Sequence, residues 1–340
     1  MDVPGNQEPA RAAAEAERDA RLSRLERLRD ARGWSYQGPV GEFGAASIAG
    51  FEPVGQVFGT TVAFLDPVAF DPCYVTGSTA RTGQTSADPY NPRLTRLNLA
   101  RGAALERVLA ECQALGGDGV VGARMSRADF FSHTTEFTVE GTAVRARSST
   151  RPATPFTTHV SGQDLAKLLR AGWMPFALVF GTAIASRHFD ESMFQETRRG
   201  IGAAGNREVS GYTRLVNDAR RGARKALETA VRDQGGQGAV VEQMTLRFSE
   251  RECPSTAEHS DYVVEATILG SAIVPFERSE PVAGEAPLAI MRLDRAPAVT
   301  TEPEPGPTVT AGPGLGDRAF AYWTARRAAQ ATGSSDEDAP

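Results

Sequence analysis

The sequence predicts an α+β fold made of two tandem copies of one small unit, each running strand, helix, strand, strand. Three observations predict it. GFEPVGQVFGT (50–60) returns as GWMPFALVFGT (172–182). LGGDGVVGARM (115–125) returns as QGGQGAVVEQM (234–244), and GTAV (141–144) returns as GSAI (270–273). The order is kept at offsets of 122, 119 and 129 residues, so only the loops differ in length. A solenoid would instead show a period of ~20–50 residues.

In chain order, residues 1–33 read as a charged N-terminal segment. Ala and Arg, both good helix formers, dominate 8–32, and Leu22, Leu25 and Leu28 give one narrow apolar stripe. The stripe is too short for a self-sufficient coiled coil, so the helix is expected to pack on the rest of the chain or on a neighbouring subunit. The first copy spans 34–150 and the second 151–279. A lead-in opens each: EFGAASIAGF in the first, and SGQDLAKLLRAGW in the second, where Ser161 and Asp164 fit a capping box. Strands follow at 54–64 and 176–185, rich in Val and Phe. A Pro- and Gly-rich loop then excludes helix in the first copy.

The long helices come next. Their stripes are Leu97, Ala100, Ala104, Val108, Cys112 and Val216, Ala219, Ala223, Leu227, Val231. The spacing of three, four, four, four is one helical face in both copies, and each member lies 119 residues from its counterpart. Gly116-Gly117 and Gly235-Gly236 stop the helices. Two alternating strands close each copy, the last being 262–276 in the second. A three-stranded sheet with one helix leaves a face or an edge needing a partner, which predicts packing of copy on copy or between chains. Residues 280–340 form a Pro/Gly-rich tail, largely disordered, with a short helix at 318–330 carrying Phe320, Tyr322 and Trp323.

Composition excludes several classes. The net charge is −5, so no general attraction to nucleic acid or to an acidic membrane is expected. No run approaches the ~20 apolar residues of a membrane helix, and the N-terminus lacks a signal-peptide core. Three cysteines form no disulfide framework and no CxxC pair, so the expected location is the cytoplasm. Neither GxSxG, HExxH, a Walker A loop nor GxGxxG after a strand occurs, so a non-enzymatic protein is expected.

The segment ARGAALERVLAECQALGGDGVVGARM, followed by VEGTAVRARS, resembles the YbjQ-like family. The fitting residues are Leu115, Gly116, Asp118, Val120, Val121, Gly122, Gly141, Thr142, Ala143 and Val144. The second copy keeps Gly235, Gly236, Val240, Val241, Gly270, Ala272 and Ile273 but departs at Gln237 and Glu242. The tandem arrangement resembles longer actinobacterial members. The resemblance implies a dodecin-like fold, homo-oligomeric rings commonly of five, and the family's label of heavy-metal-binding domain. That label carries no ligand motif to transfer. Five two-copy chains would supply ten ring places, as two stacked rings; alternatively the copies pair within one chain.

Candidate ligands for a divalent transition metal sit in the hairpins before each last strand: His133 and Glu136 in the first copy, Cys253 and His259 in the second. Cys253-x₅-His259 lacks the tight spacing of zinc pairs, and a solvated hairpin is the usual fate of such residues. Glu136 and Glu265 are equivalent by offset; a carboxylate kept in both copies could coordinate a cation at an interface, but strand alternation favours a solvent-facing position for both. Cys112 matches Val231 on the apolar stripe and is a core residue. His188 with Asp190 and Glu191 is a weaker cluster, and His159 has no evident partner. The functional expectation is a non-enzymatic oligomeric module binding a metal ion or small ligand. The alternative is a structural or adaptor protein that assembles through its copies and recruits a protein partner through 318–330.

Overall fold

The structure, a computed structural model, describes residues 7–31, 40–65, 91–130, 133–149, 151–188, 193, 196–197, 208–252, 260–275, 321 and 323–325. Helix α1 (Gln7–Asp30) and α2 (Val40–Ile48) precede strand β1 (Phe51–Phe64), helix α3 (Asn91–Ala114), β2 (Gly119–Asp129) and β3 (Thr134–Ala146). Then come β4 (Phe156–Thr157), α4 (Gly162–Arg170), β5 (Trp173–His188), α5 (Ser210–Asp233), β6 (Gly238–Glu252) and β7 (Ser260–Pro275). The fold is mixed α+β, with two antiparallel sheets packed against helices.

The sheets share one plan. The first has the order β1-β3-β2-β4 and the second β5-β7-β6. Their registers agree residue for residue: Thr60 pairs with Thr138 as Thr182 pairs with Thr267, and Gly119 pairs with Val144 as Gly238 pairs with Ile273. Even the irregularities recur, at Pro53/Gly55 and Pro175/Ala177.

The helix stripes explain why α3 and α5 lie close on their sheets. Ala104 and Ala223 are fully buried, and each faces a strand glycine. A Cβ at Gly59 would stand 2.3 Å from the Ala104 carbonyl oxygen, and one at Gly181 would stand 2.2 Å from that of Ala223. Both helices then stop on a left-handed glycine, Gly116 at φ 72° and Gly235 at φ 77°. Cys112 lies in the first core as expected, and burial pushes its thiol pKa up. Asp118 of the family pattern is also structural. Burial raises its pKa, while its carboxylate accepts from the Ala146 amide (2.9 Å) and meets Arg151.

Helix α1 packs along α3, as its stripe predicts, although Leu28 stays exposed. Arg21 pairs with Glu111, whose carboxylate also accepts from the Phe58 amide (2.8 Å). Arg107 reaches the Thr60 carbonyl and Thr61 Oγ1 (2.9 Å). Side chains of α3 thereby satisfy groups on the outer edge of β1, a row otherwise open to pairing with another chain.

Two features depart from the expectations. Strand β4, two residues pairing parallel with β2, joins the segment after β3 to the first sheet, although the sequence placed it in the second copy. Trp323, expected on a recruiting tail, is 2% exposed and packs on Phe156 (6.1 Å between centroids) and Phe176 (6.5 Å). Residues 321 and 323–325 are helical; Phe320, Tyr322 and the rest of 318–330 lie outside the described residues.

Candidate functional site

The two sheets meet across a seam. One face of the second sheet carries α5; the opposite face, with Phe180, Thr182, Glu265 and Thr267, receives side chains from α3 and β2. Arg101 of α3 is the central contact, with a side chain 4% exposed. Its guanidinium donates to Thr182 Oγ1 (2.6 Å) and Thr267 Oγ1 (3.2 Å) and lies 3.8 Å from Glu265 Oε1. The rings of Phe137 (5.2 Å) and Phe180 (6.0 Å) flank it. Asn98, one turn earlier, accepts from the same guanidinium (3.4 Å).

Arg127 of β2 donates to Glu265 Oε1 (2.7 Å) and to Asp129 (3.1 Å), and Asp129 in turn meets Arg247 of β6. Arg101, Arg127, Arg247 and Glu265 thus line a cavity of about 260 Å³. Burial lowers Arg101 to about 10, opposed by Glu265, so it remains a cation at neutral pH. Burial works against the ionised form of Asp129, but the Thr135 hydroxyl and the two arginines outweigh it and hold its pKa low. Arg101, Arg127 and Glu265 are enclosed, so losing Glu265 leaves the two arginines without their shared carboxylate, whereas Asp129 and Arg247 meet at the exposed rim.

Strand β4 and the residues after it also contact the second sheet. Thr157 Oγ1 accepts from the Leu178 amide (3.0 Å), Thr158 shares a hydrogen bond with Ser271 (2.9 Å), and His159 Nδ1 lies 2.7 Å from Ser271 Oγ. His159 therefore has a partner, contrary to the sequence reading. Burial lowers its pKa, so the neutral ring is favoured.

Apolar side chains follow the same division. Ile184 is buried among first-unit residues, in one cluster with Leu94, Leu97 and Phe137. Its register counterpart in the first sheet, Val62, is 58% exposed.

The expected metal ligands are not gathered. His133 sits in the β2–β3 turn at φ 65°, exposed, with its ring edge-on to Phe64 at 6.4 Å. Glu136 lies on β3 and accepts from Thr60 Oγ1 (2.7 Å). Cys253 and His259 fall outside the described residues, as do Asp190 and Glu191; His188 is the last residue of β5. Among the described residues no three His, Cys, Asp or Glu side chains come together as a ligand group. His133 and Glu136 alone do not fit a metal centre. The expectation for Glu265 is corrected: it is buried in the seam because first-unit arginines cover its face, whereas Glu136 remains partly exposed.

Sequence reasoning missed Arg101, Arg127 and Arg247. A signal was present: Asn98 and Arg101 recur 119 residues later as Asn217 and Arg220. Thr60, Glu136 and Thr138 likewise recur at their register partners Thr182, Glu265 and Thr267.

A sequence profile of the YbjQ family, described as "Putative heavy-metal-binding", matches residues 87–147, which cover α3, β2 and β3. Encapsulin nanocompartment protein Rv1762c of Mycobacterium tuberculosis (strain ATCC 25618 / H37Rv) is 31% identical over 209 residues, 59% of this chain and 73% of that protein. No helix among the described residues is long and apolar enough to cross a membrane.

Proposed function

Because the chain belongs to the YbjQ-like family and is similar to a protein named for an encapsulin nanocompartment, we propose that it is a non-enzymatic, cytoplasmic module that works by assembling with copies of itself. In this reading its two units, 34–150 and 151–279, are tandem YbjQ-like copies. The seam carries the argument. One unit buries its helix and β2 side chains on the open sheet face of the other, while the corresponding face of the first sheet presents Phe58, Val62 and Phe64 at 38, 58 and 56% exposure. A face built to be covered in one unit and left bare in its counterpart calls for a partner.

A second reading, metal binding, is favoured by the description of the matching family profile, whose span includes His133 and Glu136. It would require Cys253 and His259, or a neighbouring chain, to complete the ligand set. Native mass spectrometry of untagged protein purified without chelator tests both readings. The expected result is a discrete oligomer; monomer alone at tens of micromolar would overturn the assembly reading. A stoichiometric metal mass that His133→Ala or His259→Ala removes would establish the second reading, and its absence would dismiss this ligand set.

A further inference from the structure

The contact between the units is head-to-tail, and its two halves both recur unused. Arg101 is the donor within the chain; Phe180, Thr182, Glu265 and Thr267 are the receiver. By register the first sheet carries the same four residue types as Phe58, Thr60, Glu136 and Thr138. By helix position α5 carries the same donor pair as Asn217 and Arg220, both exposed. Among the described residues Glu136 meets no cation and Arg220 no carboxylate.

We propose that Arg220 of one chain docks on Phe58, Thr60, Glu136 and Thr138 of a second copy, repeating between chains the contact Arg101 makes within one. This rests on the self-assembly reading and names the surface that performs it. The receiver is already arranged: Thr60 donates to Glu136 (2.7 Å) and lies 3.3 Å from Thr138, matching the 3.3 Å between Thr182 and Thr267. Charge is complementary, a carboxylate facing a guanidinium with the Phe58 ring beside it.

The surrounding surface changes in a coordinated way. Leu246 and Phe248 occupy the β6 places that Arg127 and Asp129 hold on β2, so the second contact is apolar where the first is ionic. Phe248 is 67% exposed and lines an apolar groove of about 510 Å³ with Tyr212, Leu215, Val216 and Val264. Within the chain Ile184 is buried against the first unit, and exposed Val62 is the side chain that would enter this groove in a second copy. Exposed apolar groups on both halves and one charge of each sign fit a second copy of this chain better than a partner of other composition.

The test uses the full chain with Arg220→Glu, Glu136→Arg and Val62→Glu, read by sedimentation equilibrium, with circular dichroism and the melting midpoint as checks on folding. Each variant is expected to weaken self-association at least ~10-fold. An equimolar mixture of Arg220→Glu and Glu136→Arg is expected to recover it, since one member supplies a free wild-type donor and the other a free wild-type receiver. Undiminished association in all three variants overturns the docking surface while leaving self-assembly standing. Loss in the single variants without recovery in the mixture also overturns it. A monomeric wild-type protein removes the underlying reading itself.

Discussion

Glu136 and Glu265 occupy the same register position on equivalent strands, yet their environments differ. Glu265 is buried and faces Arg127 at 2.7 Å and Arg101 at 3.8 Å; Glu136 is partly exposed and accepts from a threonine. Removing the charge of Glu265 leaves two enclosed guanidinium groups without their shared carboxylate. Glu265→Gln is therefore expected to cost about 3 kcal/mol, whereas Glu136→Gln in the dissociated chain should cost less than about 1 kcal/mol. Urea unfolding of the two variants checks the difference, and equal costs would remove the distinction drawn from burial. Strand alternation alone assigned both residues to solvent, because it reports which face a side chain takes and nothing about what covers that face.

Between elements, the closest approach is helix to strand. A methyl group at Gly181 would meet the Ala223 carbonyl oxygen at 2.2 Å and the Leu227 amide nitrogen at 2.5 Å, both backbone atoms that cannot swing aside. Gly181→Ala should push α5 off its sheet and cost about 2–3 kcal/mol, with Gly59→Ala costing a similar amount against α3. A thermal denaturation series measures both; a cost under about 0.5 kcal/mol at either site would mean that the helices do not rest on these glycines. The alanine side of this contact was legible in the sequence as small residues in each stripe, because periodicity and residue size are local properties; the facing strand glycines were not read from it. Strand β4 was not legible. Two residues carry no period, and Phe156–Thr157 pairs with β2 because the returning chain lies beside it. The seam was half legible: Glu136 and Glu265 stood out as a recurring pair, but Arg101 and Arg220 hid among many exposed helix arginines.

Across the whole molecule, the far end of the chain contributes to the core. Trp323 packs on Phe156 beside β2 and on Phe176 of β5, joining the two sheets from a position nearly fifty residues beyond β7. Trp323→Ala should leave a cavity and cost about 3–5 kcal/mol, visible as a lower urea midpoint. A cost below about 1 kcal/mol would return this tryptophan to the recruiting role first expected of it. The head-to-tail sense of the seam also restricts counting. Repetition of one such contact places the two units of a chain next to each other in the same circuit, so whole chains fill positions in pairs. A closed circuit made this way has even parity: four, six or eight positions are open to it, and five are not. A five-position circuit would require the units of one chain to part company or one position to stay vacant, and the ion pairs buried between them oppose the first.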